Sequence, residues 1–169
     1  DRQNQRLVQL AQDLLLLSHL EASSTTLTSP MAKAPPTCCL NDLILDVVES
    51  LSVLEIAAPI HLTAQLQVAE SLYVAGDENQ LVRLMSNLVI NALQYTPAGG
   101  KVTVTLTREE QQAQIRVQDT GVGIAPADQA HIFDRFYRVN RDRSRHTGGA
   151  GLGLAIAKVI VEAHQGSLE

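Results

Sequence analysis

The chain has 169 residues, 45% of them hydrophobic and 18% charged, with a formal net charge of -5. That is room for one compact domain and an appendage, with enough apolar residues to build a core. The negative balance argues against recognition of nucleic acid through its phosphates, the adjacent pair Cys38 and Cys39 gives no disulfide framework, and no stretch approaches the roughly 20 apolar residues that span a bilayer.

Residues 2–21 read as one helix. Leu7, Leu10, Leu14 and Leu17 follow the three-four-three spacing of a bundle seam, and Leu15, Leu16 and Leu20 widen it. So much apolar surface wants a partner helix, from residues outside this chain or from a second copy. No signal-peptide pattern precedes it, and both ends read as cut from something longer. A linker rich in Ser, Thr, Ala and Pro follows over 23–36 and closes on Pro35 and Pro36. A short strand is expected near Thr37 to Leu40. Asn41 is then the expected N-cap of a helix running to about Ala57, with Leu43, Ile44, Val47, Val48, Leu51 and Leu54 inward. Ile60 to Leu66 alternates apolar and polar residues as a half-buried strand does, and Leu72 to Ala75 is a second short strand.

Asp77 can cap the next helix, with Gln80 at the capping-box position. In that helix Leu81, Leu84, Met85, Leu88, Val89, Ala92 and Leu93 form an apolar stripe at three- and four-residue spacing. Thr96 to Gly100 stops it. Lys101 to Arg108 and Gln111 to Gln118 alternate as the two strands of a hairpin, reversing at Glu109 and Glu110. A short helix fits within 127–136. Residues 137–149 are polar and basic and read as a loop. Leu152 to His164 is helical, and Ser167 to Glu169 is expected to enter another strand. The sum is an α/β fold, a two-layer sandwich with helices on one face of a mixed sheet, preceded by a bundle helix.

Three segments carry chemistry. Asn87, Asn91 and Tyr95 lie four residues apart, so they line up one above the other on the helix. An amide can hold a metal by its oxygen or a phosphate by its NH2, and a ring can stack on a base. Asp119, Thr120, Gly121, Val122 and Gly123 follow a strand directly. A carboxylate held there can accept from an adenine amino group, and the glycines allow close backbone approach. Thr147 to Leu154 carries Gly148, Gly149, Gly151 and Gly153 straight into a helix, where free N–H groups hold phosphate. It is neither a Walker loop nor a dinucleotide fingerprint, since the Lys-Ser/Thr and the early βαβ context are missing.

Taken together, the chain resembles the catalytic, ATP-binding region of sensor histidine protein kinases. The run NLVINALQYTP from Asn87 is similar to that family's N box, DTGVG from Asp119 to its first glycine box, FDRFYR from Phe133 to its phenylalanine box and GGAGLGLAIAK from Gly148 to its second glycine box. The wider superfamily takes in gyrase, chaperone and mismatch-repair ATPases. The resemblance implies ATP and Mg2+ as cofactors, with Asn91 on the metal and Asn87 beside it. Asp119 would meet the adenine amino group, Tyr95 would border the base, and Gly121, Gly123 and Ile124 would line the pocket. Gly149, Gly151, Leu152 and Gly153 would cradle phosphates by backbone, and Arg138 or Arg143 would touch the γ-phosphate. Residues 137–148 would form a lid anchored by Phe133 and Phe136. It further divides the chain into the second helix of a phosphoacceptor bundle (1–22), a linker (23–36) and the catalytic domain (37–169).

Two departures stand out. Gln94 occupies a position where the N box commonly has Lys, which removes a phosphate-facing cation. Asn87 stands where the related hydrolases carry a water-activating Glu, and an amide cannot act as a general base. The expected function is therefore ATP binding with little hydrolysis, for phosphoryl transfer to a histidine on a bundle helix outside this chain. Ser18-His19-Leu20-Glu21 lacks the Arg-Thr-Pro that follows the family's acceptor, and His19 reads as a helix-end residue. The implied partners are a response-regulator receiver domain and a second copy through the bundle. No nucleic acid is expected, and any membrane attachment lies outside these residues, on whose cytoplasmic side this part would work. An ATP hydrolase of the same superfamily and a degenerate, nucleotide-free module are the alternatives.

Overall fold

The computed structural model describes residues 11, 13–18, 36–53, 59–139 and 150–169. Leu7, Leu10, His19, Leu20, the linker residues 23–35, Leu54, Arg143 and Gly149 lie outside the described residues. The chain divides into two compact units, one of Pro35–Ala125 and one that joins the N-terminal residues to Pro126–Glu169.

Within Pro35–Ala125 the order is β1 (Thr37–Cys39), α2 (Leu40–Ser52), β2 (His61–Leu66), β3 (Tyr73–Ala75), α3 (Glu78–Tyr95), β4 (Lys101–Glu109) and β5 (Gln112–Asp119). The numbering leaves α1 for the helical residues 11 and 13–18. Strands β2, β4 and β5 form a mixed sheet with β4 central. β2 runs parallel to β4 with His61 opposite Lys101, and β5 runs antiparallel with Asp119 opposite Val102. The short strands β1 and β3 pair antiparallel as a separate ribbon, Thr37 opposite Ala75. The fold class is as expected, but the strands make two sheets instead of one.

Alternation decides which face of β4 is inside. Val102, Val104 and Leu106 are wholly buried, while Thr103, Thr105 and Thr107 on the other face are half-buried. Helix α3 packs on β4 and β5, and α2 packs on α3 and β2. The buried residues of α3 are Leu81, Leu84, Met85, Val89, Ala92 and Leu93, the expected stripe except for the half-buried Leu88. Each of the Leu, Met and Val side chains contributes about 1.5–3 kcal/mol by leaving water, so the stripe fixes the rotation of α3. With the stripe inward, the helix has no freedom to turn its amide face elsewhere.

Both ends of α3 are pinned. Asp77 Oδ1 accepts from the Gln80 N–H at 3.0 Å, the expected cap. At the other end Thr96 is buried, and its hydroxyl donates to the Ala92 carbonyl at 2.7 Å. Thr96 is already extended ahead of Pro97, as the residue before a proline prefers.

Three local expectations are corrected. Asn41 does not cap α2. That helix starts at Leu40 with Cys39 at its N-cap, and Asn41 Oδ1 accepts from Leu72 N–H at 2.9 Å. The side chain serves the residue that leads into β3, 31 positions away, in place of its own helix. The hairpin reverses at Glu110 and Gln111, with Glu110 at φ 53. Residues 167–169 are not in a strand.

The second unit contains α4 (Pro126–Gln129) and α5 (Gly153–Ala163). Ala155, Ile156, Ala157 and Ile160 are the buried face of α5. Leu17 of α1 is buried, whereas Leu14 and Leu15 remain exposed. No described helix is long and apolar enough to cross a membrane.

Candidate functional site

The three candidate segments fall in different places. Asn87, Asn91, Tyr95, Asp119, Gly121, Gly123 and Ile124 all belong to Pro35–Ala125, and Arg138, Gly151, Leu152 and Gly153 belong to the other unit.

In the first group, α3 carries Asn87 and Asn91 half-buried and Tyr95 exposed on its last turn. The Nδ2 of Asn87 is buried and has no hydrogen-bond partner among the described residues. Such an orphan donor costs about 1–3 kcal/mol, so its presence calls for an acceptor that the described residues do not supply. A phosphate oxygen is one.

The end of β5 is fastened to the end of α3. Gly121 Cα lies so close to the helix that an added Cβ would stand 2.4 Å from the Tyr95 carbonyl oxygen and 2.7 Å from Asp119 Oδ1. Val122 N–H donates to the Tyr95 carbonyl at 3.3 Å. Thr120 joins the start of β4 twice, its N–H donating to the Lys101 carbonyl and its Oγ1 accepting from Lys101 N–H. Thr96 and Thr120 therefore help to set this corner, a role that the helix stop and the strand exit did not reveal. The only signal was a hydroxyl at each end of a glycine-containing turn.

Asp119 is held in this corner. Its Oδ1 accepts from Gly121 N–H at 2.8 Å. The side chain is exposed, so its second oxygen can meet a donor from a ligand. Val122 and Ile124 add exposed apolar surface to the same turn. A carboxylate acceptor flanked by exposed apolar residues and a phenol ring can take a planar base with an exocyclic amine.

Gly123 has a different reason to be glycine. It stands at φ 69 with no atom within 4 Å of an added Cβ, so the backbone conformation alone selects it. Gly123→Ala should lower stability by about 1–2 kcal/mol, read from the midpoint of urea unfolding. An unchanged midpoint would contradict the left-handed turn.

In the second unit Gly151 stands at φ 74, and an added Cβ would meet Phe136 C and Tyr137 O, each at 2.9 Å. Leu152 is buried, and as N-cap of α5 it gives no side-chain hydrogen bond. The first N–H groups of α5, from Gly153 on, therefore lack a side-chain partner from the N-cap and suit an anion. Arg138 is half-buried two residues beyond Phe136. Phe133 is half-buried with Lys158 Nζ 5.8 Å from its ring centroid. Phe136 is 59% exposed at φ 63. Of the phenylalanine pair expected to anchor this segment, Phe133 is half-buried and Phe136 is exposed.

Among the described residues no three of His, Cys, Asp and Glu gather to hold a metal ion. Asn91 offers one neutral oxygen. Mg2+ commonly keeps waters and takes the rest of its shell from substrate phosphates, so this donor set fits a metal that arrives with a nucleotide and not a resident ion.

Comparison with known proteins gives a consistent picture. Residues 76–169 match the family model described as histidine kinase-, DNA gyrase B-, and HSP90-like ATPase. The chain is 58% identical over 168 residues to the sensor histidine kinase RppB of Synechocystis sp., covering 99% of this chain and 36% of that protein. It is 46% identical over 99 residues to the sensor histidine kinase WalK of Bacillus subtilis, covering 57% of this chain and 16% of that one. The chain thus spans about a third or less of these relatives. Among solved structures it is similar to a mycobacterial sensor histidine kinase, MprB, at TM-score 0.66 and 28% identity, over 78% of this chain and 80% of that one. Full-length ShkA, solved in complex with AMPPNP, aligns at TM-score 0.73 and 26% identity, over 93% of this chain and 31% of that one.

Proposed function

This chain belongs to the family of histidine kinase-, DNA gyrase B-, and HSP90-like ATPases, and from that membership we propose that it is the ATP-binding part of a sensor histidine kinase. It binds Mg-ATP and presents the γ-phosphoryl to a histidine on a helical bundle. That phosphoryl then passes to an aspartate of a response regulator. The observation that carries this reading is the junction of Gly121 with the Tyr95 carbonyl, which brings the Asp119 carboxylate to one end of the Asn87–Asn91–Tyr95 face. The AMPPNP complex of the similar ShkA supports a nucleotide as the ligand.

The residues divide the work by position on α3. Asp119 accepts from the adenine amino group, and Tyr95 and Ile124 border the base, with Gly121 and Gly123 forming the turn. One helical turn back, about 6 Å along the axis, Asn91 would offer its oxygen to Mg2+. Asn87, one turn further, donates from its orphaned Nδ2 to phosphate. Gly149, Gly151, Leu152 and Gly153 hold phosphate through backbone N–H groups, and Arg138 and Arg143 balance γ-phosphate charge. When bound, Mg2+ would supply positive charge against the phosphates and against the charge that develops on the transferring group. Asn87 cannot take a proton from water, so ATP is held without rapid hydrolysis. Residues 1–22 are the second helix of a bundle through which two copies pair, 23–36 a linker and 37–169 the catalytic domain. This part of the parent protein works on the cytoplasmic side, whether or not the parent is anchored to a membrane.

The test is a titration with a fluorescent ATP analogue in Mg2+, followed by a phosphate-release assay. Saturable binding that weakens in Asn91→Ala, with turnover no faster than that of Asn87→Ala, is expected. Steady turnover that depends on Asn87 would favour a hydrolase, and absence of binding would favour a nucleotide-free module.

A further inference from the structure

We propose that Tyr137 and Asp128 are positioning residues for γ-phosphate recognition, acting by fixing where Arg138 leaves the fold relative to the glycine-led start of α5. The inference rests on the nucleotide reading above.

Two backbone segments meet without a side chain between them. Phe136 N–H donates to the Gly151 carbonyl at 2.9 Å. Both residues are left-handed, at φ 63 and φ 74. For glycine that conformation is natural, and a Cβ there would collide with Phe136 and Tyr137 backbone. For phenylalanine it is unfavourable, and with the residue 59% exposed packing does little to compensate. Something beyond Phe136 must hold it in place.

Tyr137 does so. Its hydroxyl donates to Asp128 Oδ1 at 2.6 Å, the length of a hydrogen bond to a charged carboxylate. That bond, then burial, then the negative charge of Asp128 and Asp134 push the phenol pKa up, so the hydroxyl keeps its proton. The ring lies 5.5 Å from that of His131, and His131 Nδ1 is 2.9 Å from Asp134 Oδ2. Asp128 itself sits on α4. The chain is thus tied to α4 at residue 137 and to the approach of α5 at residue 136. Arg138 is the next residue out. The Tyr137 N–H also donates to the Asp134 carbonyl at 3.2 Å, so loss of the hydroxyl tether loosens the segment at one of its ties and shifts the backbone from which Arg138 leaves.

The prediction concerns the third phosphate alone. The full chain and its Tyr137→Phe, Asp128→Asn and double variants are titrated with Mg-ATP and with Mg-ADP. Tyr137→Phe should weaken ATP about tenfold, the value of one charge-assisted hydrogen bond, and leave ADP affinity unchanged. Asp128→Asn should act in the same direction but more weakly, since its amide oxygen can still accept from the hydroxyl, and the double variant should lose no more than Tyr137→Phe alone, because the tether is one bond. Retained ADP binding shows that each variant is folded. Equal losses for ATP and ADP, no loss for either, or additive losses would overturn the proposal. If the unaltered chain binds neither nucleotide, the nucleotide reading itself falls.

Discussion

Asp119→Asn should weaken ATP binding by roughly tenfold to a hundredfold, the range set by about 1–3 kcal/mol for an unsatisfied polar contact. The change is one atom, and its effect follows from the double duty of the carboxylate. One oxygen already accepts from Gly121 N–H at 2.8 Å. The other must accept from the base. An asparagine has one oxygen and one NH2. If the oxygen keeps Gly121, the NH2 faces the adenine amino group, donor against donor. If the oxygen faces adenine, the NH2 faces Gly121 N–H. Neither rotamer satisfies both partners. Preference for ATP over GTP should fall with affinity. Calorimetric titration with both nucleotides checks it, and an unchanged dissociation constant would remove Asp119 from the site.

Gly121→Ala should cost both stability and affinity. Its Cβ would come within 2.4 Å of the Tyr95 carbonyl oxygen and 2.9 Å of the Tyr95 carbonyl carbon. Those atoms are backbone at the end of α3, whose inner face is packed, and cannot swing aside. The turn must therefore lift away from α3, which breaks the Val122–Tyr95 bond and shifts Asp119. Overpacking of this kind typically costs about 1–3 kcal/mol. Unfolding by urea reads the stability loss. The informative comparison is Gly123→Ala, whose Cβ meets nothing within 4 Å. The two alanines should differ in ATP affinity, Gly121→Ala being the weaker binder. Equal affinities would mean that the contact with α3 does not position the site.

The helices α2 and α3 and the β4–β5 hairpin were legible because each buries one periodic face. Leu81, Leu84, Met85, Val89, Ala92 and Leu93 announce which side of α3 is inward, and that places Asn87, Asn91 and Tyr95 without further information. The order of the glycine-containing segments carried the family. Long-range polar choices were not legible. Asn41 has the chemistry of a cap, yet its partner is the distant Leu72 N–H, and nothing local distinguishes the two. Gly121 read as room for a ligand; the close neighbour is the protein's own helix end. The left-handed Phe136 was hidden for the same reason. A non-glycine residue adopts that conformation only when contacts from elsewhere impose it, and those contacts come from Gly151 and, through Tyr137, from Asp128.

One nuclear magnetic resonance titration addresses the whole arrangement. The side-chain NH2 signals of Asn87 and Asn91 and the backbone N–H signals of Gly121 and Gly123 are followed as Mg-ATP is added. A base at the Tyr95 end of α3 with phosphates running toward Asn87 requires all four to move along one saturation curve, and requires Asp119→Asn to weaken that curve for every probe together. Shifts confined to other residues, or amides of α3 that stay still while ATP saturates, would contradict it.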